Sequence, residues 1–191
     1  MTATAIDFET TGSVPGFKNQ PWQIGLAPIE NGLLCETAFF ETLINVGRRP
    51  FNKYAPGRHA LLRDEIALAP AMPQLLPAIL PQISGRYLIA HNAGTERAML
   101  AAAAPLHKFG PWIDTLTLSR AVWQGLDSYT LDDLCARFKL DVALSRLCPA
   151  RAPHDALYDA VACALLLQHI LRQPGWENLT AADLAEISTR D

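Results

Sequence analysis

The 191-residue chain is poor in charge, has no long apolar run and has no paired cysteines, and each lack narrows what it can be. Only 18% of residues are charged and 50% are apolar, which excludes a disordered polypeptide. No stretch of about eighteen apolar residues escapes a proline or a charge, so no transmembrane helix is expected. The first residues lack the basic segment and apolar stretch of a signal peptide, and a cytoplasmic protein is the expectation. Cys35, Cys135, Cys148 and Cys163 form no CxxC pair and have no histidine at zinc-finger spacing, which argues against a structural zinc or disulfide framework. Cys35 and Cys163 lie in apolar runs and read as small core residues. Excess positive charge is missing too. The net charge of −3 argues against a dedicated nucleic-acid coat protein. The length suits one domain over residues 1–191.

What positive charge there is lies in two runs. Arg48, Arg49, Lys53, Arg58 and Arg63 occur with no acid among them, interleaved with Phe51 and Tyr54. Arg137, Lys139, Arg146 and Arg151 have only Asp141 against them. Each run alone reads as a solvated loop; the pair would suit phosphate contacts beside a negatively charged site.

"TAIDFE" alternates, with Ile6 and Phe8 facing one way and Ala5, Asp7 and Glu9 the other, and predicts a short strand. Residues 21–44 read as two further strands turning at Asn31–Gly32. Residues 61–83 carry Pro70, Pro73, Pro77 and Pro81, which predicts a short or kinked helix. "RYLIAH" reads as a buried strand and 94–104 as a helix. "WIDTLTLSRAVW" reads as a strand passing into a helix capped by Asp114 or Thr115. A short helix is expected over 130–138, and a central helix, apolar nearly all round, over 154–172. Thr180 and Asp183 stand in capping-box spacing before a last helix over 181–188. Strand and helix alternate after an initial meander, which predicts an α/β domain with a mixed sheet.

Within this frame several carboxylates are out of place. Asp7 and Glu9 leave one face of a strand, roughly 7 Å apart along the chain, where acids are poor strand formers and repel each other. The following "TTG" offers a turn with free backbone N–H groups and two hydroxyls, and such a strand end suits oxygen-liganded divalent cations. Glu96 shares a helix face with Met99, Leu100 and Ala103; read alone, a first-turn glutamate serves the helix dipole. Asp159 shares a stripe with Ala156, Cys163, Leu166 and Ile170, where it must be paired, hydrogen-bonded or metal-bound. Its neighbour Asp155 reads as solvent-facing. His154 cannot share a helix face with Asp159, five residues on, and so belongs to the preceding loop. Four acids from three elements with one histidine suit a hydrolase that clamps a phosphodiester between two divalent ions about 4 Å apart. A histidine is suited to take the proton of the attacking water.

These residues carry a resemblance. "DFETTG", "IAHNAGTERAML" and "HDALYDA" are similar to the three motifs of the DEDD exonucleases, histidine branch, which hold bacterial proofreading subunits, RNase T and oligoribonuclease. "IDTLTLSR" and "SYTLDDLCARFKL" resemble connecting segments of the proofreading-like members. His154, five residues before Asp159, fits the histidine branch, whereas Asp155 stands where the other branch has tyrosine. The resemblance implies an RNase H-like mixed sheet flanked by helices. It implies removal of nucleoside monophosphates from a single-stranded DNA or RNA 3′ end with two Mg²⁺ or Mn²⁺ ions. Asp7, Glu9 and Asp159 would be metal ligands, His154 the general base, and Thr10, Thr11 and Gly12 would approach the 3′-terminal nucleotide. Glu96 takes the place of the family's second-motif aspartate, and Thr95 that of a phenylalanine. The expectation is an active enzyme with altered metal preference or rate; the alternative is a catalytically weak module binding nucleic acid or a polymerase. Asp114 reads as a helix cap and Asn92 as a support for the second-motif loop. A polymerase or a second copy of the chain is the protein partner to consider. Whether DNA or RNA is the substrate, and whether Trp22 or Phe51 stacks on a base, stays open.

Overall fold

The computed structural model describes residues 1–189. The alternation in the first strand, β1 (Ala3–Thr10), sets up two layers. Its Ile6 and Phe8 enter an apolar cluster on one face of the sheet, and Ala3 and Ala5 enter a larger one on the other. β2 (Pro21–Glu30) runs antiparallel to β1 and turns at Asn31–Gly32, both with positive φ, into the two-residue β3 (Leu33–Leu34). The second strand expected there breaks at a 3-10 turn over Glu36–Ala38, and β4 (Phe40–Leu43) then returns to pair with β2.

The proline-bearing segment departs from expectation in the length of its second helix. It forms α1 (Arg63–Leu68), short as expected, and a twelve-residue α2 (Met72–Ile83) that runs unbroken through Pro77 and Pro81. Pro73, Pro77 and Pro81 are spaced by four and all exposed, while Leu75, Ile79 and Ile83 are buried. The carbonyls that lose their donors to a proline therefore lie on the wet side, where water replaces the missing N–H.

β5 (Tyr87–Ala90) pairs parallel to β1 and leads into α3 (Gly94–Ala103); β6 (Trp112–Asp114) pairs parallel to β5 and leads into α4 (Thr115–Val122). The order is β3-β2-β1-β5-β6 with β4 also on β2, a mixed sheet between helices, as the sequence predicts. α5 (Leu131–Arg137) starts at its Thr130 cap. α6 (Asp141–Leu147) was not foreseen: Leu144 is buried, but one basic residue and an acid in so short a helix hide its period. α7 (Ala156–Ile170) begins after His154, and α8 (Ala181–Ile187) has the reciprocal Thr180–Asp183 box. No helix among the described residues is long and apolar enough to cross a membrane. All four cysteines are free thiols; Cys163 is buried, but Cys35 is only partly so.

α7 lies directly on β1 and β2, and one residue lets it do so. A Cβ on Gly25 would stand 2.2 Å from the Ala156 carbonyl oxygen and 2.3 Å from Leu157 N, so β2 and the first turn of α7 meet backbone to backbone. Gly25 is the β-partner of Asp7, which brings that first turn over the acids of β1. Gly25→Ala is expected to destabilise the protein by about 3 kcal/mol or more, because neither backbone can yield cheaply. Thermal or urea unfolding of the variant checks this.

Candidate active site

Where β1, β5 and the start of α7 end together, a cleft of about 620 Å³ opens, lined among others by Asp7, Glu9, Thr10, Gly12, Glu96, His154 and Asp159. Asp7 and Glu9 reach it because two-residue spacing keeps both on the α7 face of β1. Asp159 reaches it one turn into α7, and Glu96 one turn into α3. One oxygen each of Glu9 and Asp159 and one ring nitrogen of His154 lie within 4.8 Å of one another. Asp7 and Glu96 stand outside that triplet but are coupled to it by charge.

Burial dominates the electrostatics. It pushes Glu9 up to about 7, with Asp155 adding to the shift. It pushes Glu96 to about 7 against the pull of backbone N–H groups, its own and that of Phe8. Asp159 rises to about 8 through burial and the Glu9 charge, opposed by the His154 N–H that donates to its Oδ2 at 3.1 Å. Asp7 is raised well above the usual range by burial and by Asp159, Glu96 and Glu9. Glu96 is 4% exposed, and its Oε2 and the Oδ1 of Asp159 are buried with no hydrogen-bond partner. Unpaired buried carboxylate oxygens facing a shared cleft are what hard divalent cations require, so this donor set fits them.

The other expected residues are placed less uniformly. Thr10 and Gly12 line the cleft, but Thr11 does not. The Thr11 side chain is buried in the loop, where its hydroxyl donates to Asn19 Oδ1 at 3.2 Å and accepts from Gln20 N at 3.1 Å. Its carbonyl accepts from Asn52 N at 2.8 Å, so Thr11 fastens a second loop to the first. Trp22 is fully buried with Val46 and Ile66, and Phe51 is stacked on His59 with the Arg63 guanidinium also against its ring, 4.3 Å from the centroid. Neither is free to stack on a base. The exposed aromatic of that loop is Tyr54, 81% exposed at the cleft edge beside Lys53.

Asn52, Tyr54, Ala55 and Pro56 thus form a wall of the cleft that the motifs did not disclose. Its local signal was the basic, aromatic run and Gly57. That glycine has φ +90, and a Cβ on it would stand 3.0 Å from the His154 carbonyl oxygen and 3.4 Å from Glu9 Oε2. The second basic run is partly spoken for: Arg146 pairs with Glu36, and Arg151 with Glu41 and Asp155. Asp155 is buried, contrary to its solvent-facing expectation, because it caps α7 and holds Arg151.

Asp114 caps α4 as expected and does more. Its carboxylate accepts from Leu116 N, Asn92 N and Ala93 N, each at 2.9 Å, which ties the start of α3 to the end of β6. Its own N–H donates to Ser188 Oγ at 2.8 Å, beyond the end of α8. His91 also lines the cleft, but both ring nitrogens are engaged, Nε2 with the Tyr129 carbonyl at 2.8 Å and Nδ1 with Thr115 Oγ1 at 3.0 Å. Burial lowers its pKa, so it is a neutral wall residue. His154 is the exposed histidine of the cleft.

The exonuclease family model RNase_T matches residues 4–167 of the chain. The chain is 30% identical to a DNA polymerase III subunit epsilon-like protein of Rhodobacter capsulatus, over 86% of its own length and 23% of that protein's. It is 31% identical to exodeoxyribonuclease 10 of Escherichia coli K12, over 74% of its own length and 58% of that enzyme's. It therefore spans well under two thirds of both relatives. The structure of exonuclease X in complex with 5′ overhanging duplex DNA superposes with a TM-score of 0.73 at 27% identity, covering 97% of this chain and 99% of that one.

The raised carboxylates have a measurable consequence. The folded protein holds more protons than the unfolded chain from the ordinary carboxylate range up to about pH 8. This contribution to stability is complete at low pH and lost as pH rises through the folded values. Metal-free protein is expected to melt several degrees lower at about pH 8 than at about pH 5, with Mg²⁺ or Mn²⁺ reversing the loss at the higher pH. Differential scanning fluorimetry with and without chelator checks both.

Proposed function

Because this chain belongs to the exonuclease family, in the histidine branch of the DEDD group, we propose that residues 1–191 act as one domain that shortens nucleic acid from its 3′ end, releasing nucleoside monophosphates. The observation that carries the reading is the meeting of Asp7, Glu9, Glu96, Asp159 and His154 in one cleft. Likeness over nearly the full length of exonuclease X, solved with DNA, favours a DNA end over RNA. The epsilon-like relative makes a polymerase the protein partner to test, ahead of a second copy of the chain.

In this reading Asp7, Glu9, Glu96 and Asp159 hold two divalent ions, Mg²⁺ or Mn²⁺. Bound there, the ions supply positive charge to the phosphodiester and lower the pKa of water. His154, on an exposed loop at the mouth, takes the proton of the attacking water. Thr10 and Gly12 line the approach, and the positive φ of Gly12 turns the backbone toward the 3′-terminal nucleotide. Thr11 contributes by holding the wall loop. Glu96 keeps the charge of the aspartate it replaces, and its inward, unpartnered oxygen supports a working ligand over a relic.

A time course on 5′-labelled single-stranded DNA and RNA of one sequence tests this. The expected result is a ladder shortening from the 3′ end of DNA, abolished by chelator and slowed on the order of 100-fold or more in Asp7→Asn. Faster loss of the RNA would reassign the substrate. Hydrolysis that survives chelator, or folded protein that shortens neither strand, would overturn the reading, and end binding without hydrolysis would leave the binding module.

Glu96 has its own test. Glu96→Gln is expected to slow the reaction about tenfold or more, and Glu96→Asp to change the ratio of Mg²⁺- to Mn²⁺-supported rates. Unchanged rates in both variants would remove Glu96 from the site.

A further inference from the structure

The loop that delivers His154 is fastened by side chains to which the chemistry above gives no part. Arg151 Nη1 lies 2.9 Å from both carboxylate oxygens of Asp155 and also donates to Glu41 Oε2 on β4. Asp155, only 8% exposed, is the residue directly after His154. Its Oδ1 accepts from Tyr158 N at 3.2 Å, and its Oδ2 accepts from Gln23 Nε2 at 3.2 Å. Gln23 closes the circuit by accepting from Ala156 N at 3.3 Å through Oε1. Gln23 is itself buried, and it is the β-partner of Glu9.

The network therefore spans from the strand position beside Glu9 to the residue that follows His154. His154 needs such support. Its φ is +65, a left-handed backbone that is strained for a non-glycine residue and persists only where the surroundings hold it. Ala150, at the other end of the same loop, is left-handed as well, with φ +60. Arg151 sits between the two and ties the loop to β4 and α7 together. Without it, Asp155 would be a buried carboxylate with no cation beside the acid cluster, a strong reason for the loop to rearrange.

We propose that Arg151, Asp155 and Gln23 are positioning residues that fix where the His154 imidazole stands relative to Glu9 and Asp159. The proposal rests on the reading of His154 as the proton acceptor. Tight placement of a base matters to turnover more than to substrate affinity, since a displacement of about 1 Å can cost on the order of 100-fold in rate.

The test is a double-mutant cycle with a spectroscopic arm. Arg151→Ala is expected to lower kcat about 10- to 100-fold with KM for an oligonucleotide nearly unchanged, and Arg151→Lys to recover part of the loss. In a His154→Ala background, Arg151→Ala should cost nothing further. Multiplying losses in the double variant, or an effect confined to KM, would overturn the proposal and leave a helix anchor. Ring ¹H–¹⁵N spectra give a readout that needs no activity: the His154 signals, identified by their loss in His154→Ala, should shift in Arg151→Ala and in Gln23→Ala while those of His91 stay. Unmoved His154 signals in folded variants would also overturn it. A wild-type protein without nuclease activity would count against the proposed function, and the spectra would still judge the clamp.

Discussion

Everything in the site depends on a contact between two stretches of backbone. α7 can lie on the sheet only because β2 presents no side chain at Gly25, so the Ala156–Leu157 peptide rests against the strand. β-Pairing then does the rest: Gly25 faces Asp7 across the ladder, and Asp159 follows within one turn of the contact. A helix displaced by the thickness of a methyl group would carry Asp159 and the His154 loop away from β1. Side-chain packing alone would leave more freedom, since apolar contacts are tolerant of small slides and peptide planes in van der Waals contact are not.

The closeness so imposed gathers like charge, which the fold resists through pKa rather than distance. Asp7, Glu9, Glu96 and Asp159 all shift upward, chiefly because their carboxyl groups are buried. An arrangement optimised for the stability of the polypeptide alone would not bury four acids around one cleft. The cost is understandable where positive charge belongs between them. Elsewhere the buried polar atoms of Thr115 and Gln23 have partners, Trp22 Nε1, His59 Nδ1 and Ser119 Oγ have none but carry no negative charge, and surface ion pairs link neighbouring elements. What marks the functional part of the chain is that its unpartnered buried atoms are carboxylate oxygens, Glu96 Oε2 and Asp159 Oδ1, facing one cleft.

Much of this was legible in the sequence, and what was legible shares a physical character. Alternation in β1, the Asn31–Gly32 turn, the Asp114 and Thr180 caps and the inward stripe of Asp159 are all short-range regularities, fixed by the period of the element that carries them. The acids could be gathered in thought because three motifs resembled known ones. Lost to inspection were features settled by tertiary contact. Asp155 looks exposed until Arg151 and Gln23 arrive from elsewhere. Trp22 and Phe51 look available until they pack on Val46, Ile66 and His59. The proline helix is unreadable without knowing which face is wet. The wall formed by residues 52 to 56 has no period at all, and only its folding back over Gly12 and Glu9 makes it part of the cleft.

Asp114 makes one more relation visible. Through the backbone N–H groups of Asn92 and Ala93 it sets the entrance of the helix that presents Glu96, and through its own N–H it leans on Ser188, 74 residues further along. Ser188 in turn donates to the Leu184 carbonyl inside α8. The last helix is therefore a strut of the second-motif carboxylate: force applied to α8 is delivered, through two hydroxyl contacts and one carboxylate, to the floor of the cleft.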